Sequence, residues 1–155
     1  MNRLRLLAPP LLATLLLGVF VATPVVAQDG WRLPGLDGGA LTEADVASGA
    51  TVLVVWAGWS PRCRDIVERI NDIAARWGGK ARVASVNFQE TPEEARSFLA
   101  GKGLRAPVYL DREGSFAKRH RVSTLPGLVI FRNGEVAYAG KLPDDPASTI
   151  DDALD

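Results

Sequence analysis

The chain has 155 residues, enough for one domain with a real core, and its 18 basic residues balance 18 acidic ones. With no net charge and no basic stripe carrying interleaved aromatics, nothing in it would recruit nucleic acid. One cysteine and one histidine exclude an internal disulfide and a zinc site built from those two side chains alone, and there is no Cys-x-x-Cys-His haem attachment site.

The first 27 residues differ from the rest. Arg3 and Arg5 form a positive start, and an apolar stretch runs from Leu6 to Val21, broken early by Pro9 and Pro10. Val25-Val26-Ala27 then offers small residues to a signal peptidase. The pattern predicts a signal peptide over 1–27, cleaved after Ala27, and a domain over 28–155. The rival reading is an uncleaved anchor, since the run approaches the ~20 residues that span a bilayer. Both put the domain outside the cytoplasm, periplasmic or secreted, with membrane contact only if the leader stays. Loss of Arg3 and Arg5 leaves a net charge of about −2.

Next comes "WRLPGLDGGALTEADV", an approach segment of turn residues with a short helix led by Thr42. "TVLVVWA" (Thr51–Ala57) is apolar and β-branched, as a buried strand is. A helix is predicted from Ser60, with Ile66, Val67, Ile70, Ile73, Ala74 and Trp77 on one stripe and Gly78-Gly79 ending it. "RVASVNF" is the next strand. "TPEEARSFL" starts a helix with Thr91 as N-cap, Pro92 in the first position and Glu94 completing a capping box. "PVYLD" is a short strand and "SFAKRHRV" a short helix or turn. "GLVIF" and "EVAYAG" flank an Asn-Gly turn and form a hairpin. The tail from Asp145 ends in a weak helix. Strands alternating with helices and closing in a hairpin predict an α/β fold, a central mixed sheet flanked by helices.

The stretch Trp56-Ala57-Gly58-Trp59-Ser60-Pro61-Arg62-Cys63, with "VNFQE", "PVYLD" and "STLPGLVIF" after it, resembles the TlpA/ResA-like branch of the thioredoxin family, extracytoplasmic thiol–disulfide proteins. The resemblance covers nearly all of the chain after the leader and implies the thioredoxin-like fold. The family pattern is Trp-Ala-x-Trp-Cys-x-x-Cys, so Ser60 stands where the attacking cysteine is expected. A dithiol cycle needs one thiolate to attack and a second to resolve. With Cys63 alone it cannot run unless a partner supplies the other sulfur. The resemblance implies thiol- or disulfide-bearing protein or peptide partners, with cytochrome c maturation as the context.

Two readings of the turn compete. In the first, Ser60 is an N-cap whose side chain accepts a backbone N–H, Pro61 sits at the first helical position, and Cys63 is a small buried hydrophobe. In the second, the helix start and the flanking Arg62 and Arg64 activate Cys63 as a monothiol or as a sulfenic-acid former. Ser60-Pro61-Arg62-Cys63 also fits the Thr/Ser-x-x-Cys fragment of peroxiredoxins, but Trp56 stands where their fuller pattern has proline. That leaves a peroxidase using Cys63 as an alternative, a binding scaffold as another, and a Cys63-linked dimer as a third. By the resemblance, Glu90 helps proton transfer beside Cys63; by its position ahead of the Thr91 cap it is a solvated residue. Pro126 falls in the loop that carries the family's cis-proline, and Leu125 and Pro126 would line a peptide groove with Trp59 and Pro61. Trp56 reads as core and Val54 as apolar where ordinary thioredoxins bury an acid. His120, within Lys118-Arg119-His120-Arg121, reads as part of a solvated face.

Overall fold

The computed structural model describes residues 30–155, so the leader predicted over 1–27 lies outside the described residues. A five-stranded sheet in the order β5-β4-β3-β6-β7 forms the centre. Its middle strand is β3 (Ala50–Trp56), with β4 (Arg82–Phe88) parallel on one side and β6 (Gly127–Arg132) antiparallel on the other. Outside these lie β5 (Val108–Asp111), parallel to β4, and β7 (Glu135–Lys141), antiparallel to β6. The sheet is mixed because a two-residue turn can join only antiparallel neighbours. Asn133 and Gly134 make that turn with φ of 51° and 86°, a conformation that asparagine and glycine tolerate best.

Both faces of β3 are covered, which is why its sequence is a continuous apolar run. Val52, Val54 and Trp56 pack with Ile66, Ile70 and Ile73 of α1 (Ile66–Trp77) and with Ile150 of α4 (Ala147–Leu154). Trp77 Nε1 donates to Asp151 Oδ1 at 2.7 Å and ties α1 to α4. Leu53 and Val55 point the other way, into a cluster with Trp31, Phe116 and Phe131. Helix α2 (Pro92–Leu99) starts as its sequence predicts: the Thr91 side chain accepts from Glu94 N at 3.2 Å, and Glu94 accepts from Thr91 N at 2.8 Å. Helix α3 (Ser115–Arg119) is capped by the buried Asp111, which accepts from the Phe116 and Ala117 N–H groups.

The approach segment is more ordered than its turn residues suggest. Strands β1 (Arg32–Pro34) and β2 (Ala40–Thr42) pair as an antiparallel ribbon, and a 3-10 helix, Glu43–Val46, follows Thr42. The ribbon runs along β5: Leu36 N donates to the Val108 carbonyl at 2.8 Å, and Gly35 bridges Tyr109. Among the described residues no helix is long and apolar enough to cross a membrane.

Candidate functional site

The buried strand β3 ends at Trp56, and the chain turns through Ala57 to Ser60 at the end of this central strand. The turn is held from below. Glu90, just past the end of β4, is 8% exposed, and its Oε2 accepts from Gly58 N at 2.7 Å and from Asn87 Nδ2 at 2.6 Å. A Cβ on Gly58 would stand 3.0 Å from Glu90 Oε1 and from the Phe98 ring, so any larger residue would push on both side chains. Glu90 is therefore not a solvated residue ahead of the Thr91 cap. Its bond to Gly58 anchors the turn across 32 residues of sequence, and its bond to Asn87 ties it to β4.

The helix predicted from Ser60 is split. Pro61–Cys63 is a 3-10 turn, and α1 begins only at Ile66, behind Asp65. The Ser60 side chain makes no cap hydrogen bond; its backbone carbonyl accepts the Cys63 N–H at 2.9 Å instead. The expected side-chain cap fails because one tight turn bends the chain and the main chain itself supplies the acceptor. Cys63 thus lies ahead of α1 rather than in its first turn, where the helix dipole acts.

Cys63 is 0% exposed and belongs to the core with Trp56 and Ile66. Burial pushes its thiol above the ordinary value, because a thiolate there would lose its hydration. Hydrogen bonding to the Ala57 backbone and the Ser60 side chain pulls the other way, as does the charge of Arg69, without overcoming burial. The cation that acts is Arg69, one turn into α1, and not the flanking Arg62 or Arg64 of the activation reading. Among the described residues no three His, Cys, Asp or Glu side chains gather as metal ligands.

Beside the turn lies a groove of about 440 Å³. Trp59, Ser60 and Pro61 form one wall, and Leu125 belongs to the other, so four of the predicted residues come together. Cys63, Glu90 and Pro126 do not line it. The first two are buried as described, and Pro126, joined to Leu125 by a cis peptide bond, is buried behind its neighbour. Sequence reasoning passed over Phe88, Val122, Ser123, Thr124 and Arg62 in the lining. Ser123-Thr124 was legible in "STLPGLVIF", whereas Phe88 reaches the groove only because β4 ends beside the turn. Trp59 is 59% exposed, its ring centroid 6.5 Å from that of Phe88.

His120 is not on a solvated face. Its ring is half-buried, with centroids 4.5 Å from Phe116, 5.2 Å from Phe131 and 6.1 Å from Trp31, and its Nε2 is buried without a hydrogen bond. Burial lowers its pKa first, with Arg119 adding to the effect and Glu43 and Asp111 opposing it.

The model of the AhpC/TSA family matches residues 26–139. Among solved structures the chain is similar to a putative thiol:disulfide interchange protein DsbE from Chlorobium tepidum. The TM-score is 0.69 at 26% identity, with 81% of this chain and 94% of that one covered. It is also similar to the exposed lipoprotein thioredoxin Etrx1 of Streptococcus pneumoniae strain TIGR4, at TM-score 0.69 and 18% identity over 80% and 97% of the two chains. At that identity the likeness shows the fold, which is thioredoxin-like. A thioredoxin from Rhodospirillum rubrum is 29% identical over 105 residues, 65% of this chain and 80% of its own length.

Proposed function

We propose that this chain, which belongs to the AhpC/TSA family, is a redox-silent thioredoxin-like binder of extended protein segments. The groove between the Ser60 turn and the Leu125 loop is its binding site. One observation carries the reading: the groove is open at Trp59, while the only thiol of the chain is wholly covered. Thiol–disulfide exchange requires a thiolate to meet a disulfide in line and a second thiol to resolve the mixed disulfide. Cys63 meets neither condition: it is alone, and its thiol is buried behind the turn. Peroxide reduction and a Cys63-linked dimer both need the same sulfur to emerge.

The leader-like residues 1–27 support a site of action outside the cytoplasm, and the family resemblance makes cytochrome c maturation the pathway to test first. In that setting the protein would hold a substrate segment for a partner that does the sulfur chemistry.

The test is the alkylation rate of Cys63 against pH in the folded protein, beside an unfolded control. The expected outcome is protection: slow modification, governed by opening of the fold, with no fast phase below the ordinary thiol midpoint. Rapid alkylation of the folded protein, or capture of a mixed disulfide from a small aromatic disulfide, would sink the redox-silent reading and restore the monothiol one.

A further inference from the structure

We propose that the groove selects an extended segment carrying an apolar side chain next to a carboxylate. The proposal rests on the groove being a binding site, as argued above, and names its ligand class. The apolar half comes from the wall. Trp59 and Val136 are the two large hydrophobic side chains left mostly exposed among the described residues, and Trp59 faces Phe88 and Leu125 across the groove. A tryptophan left uncovered beside apolar neighbours is surface that an aliphatic or aromatic residue can cover.

The acidic half comes from charge. Arg62 is the one charged side chain in the lining, it is exposed, and among the described residues it has no ion pair or hydrogen bond. No carboxylate in the lining answers it, and Glu90, which holds the turn, is buried on Gly58 and Asn87. The neighbouring Arg64 is different, for the concavity that it lines with Lys102 and Arg105 also holds Asp65, Glu68 and Asp72. The groove lining, by contrast, carries one positive charge and no acid. A carboxylate suits it, because a guanidinium forks onto two oxygens, while a lysine would meet like charge there. The extended conformation comes from the main chain. Ser123, Thr124 and Leu125 take part in no backbone–backbone hydrogen bonds among the described residues, so their polar groups are open to a strand laid alongside. Nothing in the lining asks for a cysteine in the ligand.

Three labelled seven-residue peptides, identical except for a central phenylalanine–glutamate, phenylalanine–glutamine or phenylalanine–lysine pair, would be titrated by fluorescence anisotropy. The expected order is glutamate tightest, by about two- to fivefold over glutamine, with lysine weakest. Added salt should narrow the gap and Arg62→Gln should erase it. Equal affinities for the three peptides would overturn the acidic preference while leaving the groove as a binding site. A preference that survives Arg62→Gln would overturn the role given to Arg62. Absence of binding by all three, with Trp59 fluorescence unmoved, would overturn the groove reading and this proposal with it.

Discussion

His120 sits among three aromatic rings with a nitrogen that nothing satisfies, and that makes it the residue whose charge the fold resists most plainly. Its pKa in the folded chain lies below the ordinary 6.5. Between the folded and unfolded values the unfolded chain holds more protons, so stability is present above about pH 6.5 and drains away as the pH falls through it. His120→Phe keeps a ring in the cluster and removes the orphaned nitrogen. We expect it to be neutral or up to about 1 kcal/mol stabilising at neutral pH, and to flatten the loss of stability between about pH 7 and pH 5. Urea midpoints across that range would check it, and an undiminished acid slope in the variant would assign the titration elsewhere. Basic neighbours hid this residue from sequence reading. Lys118 and Arg119 at the end of a short helix and Arg121 just beyond it are exposed while the ring between them turns inward, and a charge run gives no sign of that.

At the scale of elements, the turn after β3 is set by a side chain that belongs to neither flanking element. Glu90 holds Gly58, and Asn87 holds Glu90. Glu90→Ala leaves a half-buried N–H and a buried amide without their acceptor, at a cost of about 1–3 kcal/mol. Glu90→Gln keeps an acceptor oxygen for Gly58 and is expected to cost less than half as much. Chemical denaturation measures both, and peptide titration should show Glu90→Ala weakening the groove more than Glu90→Gln. Equal losses would mean that charge, rather than an acceptor at this position, holds the turn. The break between Pro61–Cys63 and α1 was equally hidden. Proline at a first helical position reads alike for a 3-10 turn and an α-helix, and the apolar stripe from Ile66 onward keeps its period either way. By contrast the Thr91 capping box and the Asn133-Gly134 turn were readable because each is complete within four residues of sequence.

For the whole molecule, the architecture was legible wherever one strand or helix buried a face: β3, β4, α1 and the closing hairpin follow directly from apolar periodicity. The β1–β2 ribbon was not, since three-residue strands among glycines and prolines carry no period. Nor was the groove as a unit, because its two walls are about 60 residues apart and meet only through the order of strands. That ribbon has an effect at the far side of the sheet by contrast. It seals β5, whereas β7 is the other rim, its residues largely exposed and Val136 46% open. The sheet can therefore grow in one direction only. When concentrated or warmed, copies should accrete through β7, and a lysine there should act as a gatekeeper. We expect Val136→Lys to delay the rise of light scattering on heating without changing the unfolding free energy by more than about 0.5 kcal/mol. An onset unchanged in that variant would place the sticky surface elsewhere. The ribbon's small strands thus give the molecule a blind end and a live end, so two copies joined through β7 would bury both live ends and leave only blind ones.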